Sequence, residues 1–286
     1  VRPSKKPSVA FVGAGNLAGA LALSLRAAGY PIELIISRPA PASLRGARRL
    51  AQEVGASAVT TAEAIIKAEI VWFCVPDAAI APVAHSLLKA ADWKGKIALH
   101  SSGAFTSDEL RVLRRRGAPA ASVHPLMTFV RGSRPQLAGV SFAVEGDRKA
   151  VRAARVITRS LRGHAWAIRK DQKQLYHAWG MFVSPLLTAL WAASESLAAA
   201  AGVSRNAARQ KMLPILNQTL ANYARLGAAK SFSGPIIRGD VDTVIKHLKV
   251  LRSVPGAEAV YLALARIALR ELPIKNRAEL KKILKG

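Results

Sequence analysis

The sequence predicts an α/β domain on a largely parallel sheet, followed by an all-helical domain. Three observations carry this. Short apolar runs alternate with helical stretches up to about residue 168, the pattern of a parallel sheet with helices on both faces. The strand signal then stops, and 171–285 read as long helices with short breaks. With 286 residues, the chain has room for two domains of about 150 residues each. The division is placed between 168 and 169, giving 1–168 and 169–286.

The elements follow in order. SVAFVGAGN (8–16) is a β-rich run ending in glycines, and 17–28 have helical composition up to Gly29. IELIIS (32–37) is a second strand, and 43–54 form a helix stopped by Gly55. EIVWFCVP (69–76) is nearly all apolar, as a strand buried on both faces should be. DAAIAPVAHSLLKAA (77–91) reads as helix. Strands continue at 96–103, 119–126, 141–146 and 164–169. The helical region breaks at Gly202, Gly227, Ser233-Gly234-Pro235, Pro255-Gly256 and Pro273. Its most apolar part, 178–203, is interrupted by Pro185 and Ser194-Glu195-Ser196, so a buried helix is expected there rather than a membrane span.

Apolar residues make up 51% of the chain, enough for real cores. No stretch reads as a signal peptide. The single cysteine, Cys74, excludes an internal disulfide framework, and a cytoplasmic setting is expected. The formal charge of +26 raises the question of nucleic acid. The excess is spread out, with 25 Lys+Arg against 10 Asp+Glu in 1–169 and 18 against 7 in 170–286. One stripe stands out: Arg148, Arg152, Arg155, Arg159 and Arg162 step along one helix face. No aromatic residues interleave with them, so a solvated face is favoured over a nucleic-acid surface. No metal-ligand spacing is present.

Gly13-Ala14-Gly15-Asn16-Leu17-Ala18 matches G-x-G-x-x-G/A between a strand and a helix. Gly13 allows the tight turn, Gly15 lets the backbone approach a pyrophosphate, and Ala18 permits close helix–strand packing. Dinucleotide binding follows from that context. At the end of the second strand an acid would accept bonds from an NAD ribose hydroxyl. Ser37-Arg38 stands there instead, and a guanidinium suits a 2′-phosphate, so NADP(H) is the expected cofactor. Arg45, Arg48 or Arg49 could add to it.

His100 and His124 lie at carboxyl ends of strands, the edge where open α/β sheets bind ligands. Either could exchange a proton near neutral pH, or hold loop geometry. Lys173 and His177 share a helix face that Gly180 and Ser184 continue, which could line a substrate cleft or lie in solvent. Arg238 and Asp240 occupy a glycine-bounded turn, where Arg238 could clamp an anion or simply pair with Asp240.

With GAGNLAGAL (13–21), VPD (75–77), HSSGA (100–104), HPLMTF (124–129), LYHAW (175–179) and GPIIRGD (234–240), nearly the whole chain resembles one family. It is the Rossmann-like NADP oxidoreductases with a C-terminal helical domain of unknown function, similar to that of 6-phosphogluconate dehydrogenase. Pyrroline-5-carboxylate reductase and prephenate dehydrogenase are related. The resemblance implies a doubly wound sheet with the nicotinamide near Val75, Pro76, His100 and Ser101. It implies that His124, His177, Arg238 and Asp240 face one cleft, and that the helical domain forms a homodimer. Relatives often carry Ser-Asn where this chain has Ser184-Pro185, and Pro185 should kink the helix.

Two functions fit. One is NADP-dependent hydride transfer to or from a carbonyl or imine carbon of a small anionic substrate between the domains. His177, then His124, would supply the proton, with Lys173 and Arg238 orienting the substrate. The other is a non-catalytic NADP(H)-binding sensor or scaffold, since a glycine loop shows binding only.

Overall fold

The computed structural model describes residues 6–285. Among them, eight strands form one sheet: β1 (Val9–Val12), β2 (Ile32–Ser37), β3 (Ser57–Thr60), β4 (Ile70–Phe73), β5 (Ile97–His100), β6 (Ala120–Pro125), β7 (Ser141–Gly146) and β8 (His164–Ala167). Their order is β3-β2-β1-β4-β5-β6-β7-β8. All pairs are parallel except β6 with β7. The strands are connected by α1 (Asn16–Ala27), α2 (Pro41–Val54), α3 (Ile80–Ser86), α4 (Arg111–Arg114) and α5 (Arg148–Ser160). From β1 the chain winds outward to β2 and β3, then returns to β4 on the other side. The sheet is therefore doubly wound, and its switch point lies between β1 and β4.

Alternation along the strands builds the two cores. Val9 and Phe11 of β1, and Ile70 and Trp72 of β4, pack under α1, α2 and α5. Ala10, Val12, Val71 and Phe73 point the other way, towards α3 and α4. Burying such side chains stabilises by roughly 1.5–3 kcal/mol each. The Phe11 and Trp72 rings also stack, with centroids 6.1 Å apart.

β3 and the helix after β4 differ from the sequence expectation. β3 is a half-exposed edge strand of only four residues, too short and mixed to register as an apolar run. The helix expected over 77–91 is a 3-10 turn at Asp77–Ala79 followed by α3, which stops at Ser86. There the buried Trp93 indole N–H donates to the carbonyls of Leu87 and Leu88 and draws them out of the helix ladder.

The chain divides into two compact units, the first ending at Met181 and the second starting at Phe182. The last strand ends at Ala167, and α6 (Lys173–Val183) follows. Then come α7 (Pro185–Ala200), α8 (Arg205–Ser231), α9 (Pro235–Arg238), α10 (Val241–Leu251), α11 (Ala257–Glu271) and α12 (Arg277–Ile283). Pro185 starts α7, and Ser184 before it is non-helical at φ −130°, ψ −73°, so the expected break occurs there. α8 is likewise interrupted at Gly227. Val244, Leu248, Ala265, Leu269 and Leu280 form the core of α10, α11 and α12.

The buried helix expected within 178–203 is not buried. α7 has no buried residue, and α8 buries only Ala208. The stretch 170–200 is long and apolar enough to cross a membrane by length and composition. Its first helical residue, Lys173, is however fixed inside the first unit by bonds to Ser102 and Ser122.

Candidate active site

The glycine loop after β1 is held open by sterics. Gly13 has φ +106°, and a Cβ there would lie 2.3 Å from the Cys74 carbonyl oxygen. Gly15 has nothing within 4 Å of where a Cβ would stand. It precedes α1 without a side-chain cap, so the first amides of α1 have no side-chain acceptor. Free amides over open space form a phosphate cradle, so the loop fits a dinucleotide diphosphate. Ala18 is fully buried at the helix–sheet contact, while Leu17 packs partly against the same core. Asn16 turns its amide to the Phe129 carbonyl (3.2 Å).

Beside the loop lies a cavity of about 480 Å³, bounded by Gly13, Gly15, Ser37, Arg38, Val75 and Pro76 among others. Exposed Arg38 donates from Nε to Ser43 Oγ at 2.8 Å. Ser37 is buried and bonds the Arg38 carbonyl. No carboxylate lines this cavity. Cys74 also lines it, but burial pushes its thiol up to about 12 and keeps it protonated.

His100, which the resemblance sets beside the nicotinamide, lies at the carboxyl end of β5. It is fully buried. Its Nδ1 accepts from the Ser102 N–H (3.1 Å), so Nε2 carries the proton and donates to the Thr106 carbonyl (2.9 Å). Burial, mainly, lowers it to about 4. With both nitrogens committed, His100 staples the turn after β5. Ser101 Oγ accepts from the Trp72 indole (2.8 Å) and keeps its own O–H to donate.

A second cluster forms one strand over. Ser122 pairs with His100 across β5 and β6, and His124 follows two residues on, so all three point to one face. Lys173 descends from α6 onto this face with no exposed surface. Its Nζ donates to Ser122 Oγ (2.6 Å) and to the Ser102 carbonyl (3.0 Å). Burial lowers its pKa to about 8, with Glu145 and Asp77 opposing the shift. Around it Lys170 pairs with Asp108 (2.5 Å), and Gln174 reaches the Ala104 carbonyl (3.3 Å).

One turn along α6, Tyr176 OH bonds His124 Nδ1 at 2.7 Å. The half-buried His177 ring stands edge-on to His124, with centroids 6.4 Å apart. Burial, then the charges of Lys173 and His177, lower His124 to about 4, so it is neutral near pH 7. The ring is also wedged: a Cβ on Gly103 would lie 2.9 Å from His124 Nε2.

The structure thus brings Lys173, His124 and His177 together. It adds Ser122 and Tyr176, which the sequence reading did not single out. The periodicity held the signal for both, since Tyr176 sits three residues after Lys173 and Ser122 shares the parity of His124 on β6. Arg238 and Asp240 lie in the second unit. Asp240 caps α10, accepting from the Thr243 N–H (3.0 Å) and Oγ1 (2.8 Å). Arg238 ends α9. Among the described residues no group of three or more His, Cys, Asp or Glu could hold a metal. The α5 arginines Arg148, Arg152, Arg155 and Arg159 are exposed, with Ala150, Ala154 and Ile157 buried beneath.

Residues 8–100 match the family described as NADP oxidoreductase coenzyme F420-dependent. Residues 140–268 match a domain of unknown function, DUF2520. The chain therefore joins an NADP oxidoreductase-like domain to that C-terminal domain. Solved structures that share the fold include the following three. A candidate NADP oxidoreductase of Bacteroides fragilis is 21% identical, with a TM-score of 0.74 over 92% of this chain and 97% of that one. An imine reductase of Streptomyces aurantiacus is 17% identical, at 0.63 over 98% and 100%. A pyrroline-5-carboxylate reductase of Coxiella burnetii is 14% identical, at 0.61 over 91% and 98%. At these identities the likeness is one of fold. No curated protein matches the sequence significantly.

The two lowered histidines set an acid response. His100 and His124 titrate near 4 when folded and near the ordinary 6.5 when unfolded. Between these values the unfolded chain binds more protons, so stability rises with pH and is lost on acidification through the window. The urea midpoint should fall between about pH 6.5 and pH 4, and His100→Gln should remove about half of the slope. A midpoint that is flat across this window would refute the assignment.

Proposed function

We propose that this chain is an NADP(H)-dependent oxidoreductase acting on a carbonyl or imine carbon of a small anionic substrate. The observation that carries the reading is the end of β2. Guanidinium and hydroxyls line the cavity there, and no carboxylate does. Such a lining attracts a 2′-phosphate and gives a ribose 2′-hydroxyl no strong acceptor. The imine reductase and pyrroline-5-carboxylate reductase among the fold relatives are consistent with an imine or carbonyl substrate.

The cofactor, when bound, supplies or accepts the hydride. The remaining work falls to the chain. The α1 amides and Gly15 hold the diphosphate; Arg38 and Ser43 hold the 2′-phosphate. His177, half-exposed, exchanges the proton at the substrate heteroatom. His124, neutral and tied to Tyr176, orients beside it. Lys173 acts from beneath: it fixes Ser122 and the Ser102 carbonyl, and its charge favours an anion on that face.

Nicotinamide fluorescence titrations test the cofactor. Wild type should bind NADPH tightly and NADH weakly, and Arg38→Ala should weaken NADPH by about tenfold or more, the scale of a charge-assisted bond. Equal binding of both cofactors by wild type would sink the phosphate assignment. With NADPH and a panel of imines and carbonyls, His177→Asn should lower turnover by roughly 10²–10⁴ while sparing NADPH affinity. Tight NADPH binding with no turnover on any member of the panel would instead favour the sensor.

The second unit is proposed to form a homodimer in the cytoplasm. Leu213, Ile215, Leu220 and Tyr223 on α8 are at least half exposed, and a cavity of about 1070 Å³ opens beside Trp191, Leu216 and Phe232. Exposed apolar area on this scale marks an association surface. Sedimentation should give twice the 30.4 kDa chain mass, and Leu220→Glu should shift the protein towards monomer. A wild type that stays monomeric at micromolar concentration would rule the dimer out.

A further inference from the structure

The connection between β6 and β7 is long for an antiparallel pair. It runs from 126 to 140, where hairpin loops usually have about 2–5 residues. Long ordered loops are usually functional. This one reaches the dinucleotide side of the first unit and is fastened there at three points. The Phe129 carbonyl accepts from Asn16 at the start of α1. Leu137 is buried in the core shared with α1 and α2. Arg134 makes a two-pronged ion pair with Glu53 of α2, at 2.8 and 2.9 Å. Between these points the Ser133 N–H donates to the Val130 carbonyl, and Gly132 adopts φ +80°. That is a tight turn with glycine where left-handed backbone is required, and Arg131 stands in it.

Beneath the loop lies a second cavity, of about 460 Å³. Arg49, Glu53, Arg131 and Arg134 line it with Gly15 and Asn16. It abuts the nucleotide cavity, because Ala14, Gly15 and Gly46 line both. Its charge does not balance. Glu53 is matched by Arg134. Arg49 and Arg131 have no hydrogen-bond or ion-pair partner among the described residues. Two unmatched guanidiniums on one cavity repel each other until an anion lies between them, and the planar fork of each suits phosphate oxygens.

Resting on the dinucleotide site proposed above, we infer that the β6–β7 connection is a phosphate clasp. Arg131, with Arg49, takes the diphosphate of the bound dinucleotide from the side that the α1 amides leave open. The Arg134–Glu53 pair and the Asn16–Phe129 bond hold the clasp in place. Labour is thereby divided. Arg38 and Ser43 read the 2′-phosphate and discriminate; Arg131 grips what NADPH and NADH share and does not.

The test compares dissociation constants of NADPH and NADH for wild type, Arg131→Ala, Arg131→Lys and Arg38→Ala. Arg131 is exposed, so its variants should melt like wild type. Arg131→Ala should weaken both cofactors by the same factor, about tenfold, and Arg131→Lys should restore part of it. Arg38→Ala should weaken NADPH alone. Unchanged affinities in Arg131→Ala, with wild type binding NADPH, would overturn the clasp and leave the cofactor reading intact. A loss confined to NADPH would overturn the diphosphate assignment. A wild type that binds neither dinucleotide would remove the cofactor reading and the clasp together.

Discussion

The central strands must satisfy two cores at once, and the site inherits its geometry from that constraint. Along β1 and β4 every residue is buried, with neighbours alternating between the two faces. The same alternation runs through β5 and β6, where Ala98 and Ala120 serve the core under α3 and α4. His100, Ser122 and His124 share their parity. They are the polar continuation of an apolar row, at the point where the strands emerge from the core. A polar group there is costly unless it finds a partner. His100 finds the backbone, Ser122 finds Lys173, and His124 finds Tyr176.

Lys173 is the other half of that arrangement. A buried ammonium needs acceptors, and only one rotation of α6 delivers it to Ser122 and the Ser102 carbonyl. Once that rotation is set, residues three and four positions on must face the same way. Those residues are Tyr176 and His177. The Lys170–Asp108 and Gln174–Ala104 contacts act on the same turn of helix. A single buried charge thus aligns an element at the edge of the sheet with histidines presented by the sheet itself.

Much of this was legible in the sequence, for physical reasons that can be named. The doubly wound sheet was readable because buried parallel strands are continuously apolar, as 69–76 is. The glycine loop was readable because only glycine tolerates the approach of the Cys74 carbonyl at Gly13. The Ser184-Pro185 break was readable from proline's missing donor. β3 was not, because an edge strand buries too little to need an apolar run. Nor was the commitment of His100. Its sequence signature equals that of a ligand-facing histidine, and only the turn brings Thr106 to its Nε2. The exposure of α7 also escaped, since apolar composition alone does not say whether a helix lies inside its own unit.

The arginine row on α5 touches no part of the site, yet it bears on how quickly the site is found. Arg148, Arg152, Arg155 and Arg159 lie in solvent on a chain of net charge +26. Summed surface charge of one sign draws counter-charged ligands inward before contact and raises their association rates, steeply so at low ionic strength. An anionic ligand would therefore meet this protein faster than a neutral one of equal size. The helix contributes to capture as a field, with dissociation left to the residues that hold the ligand.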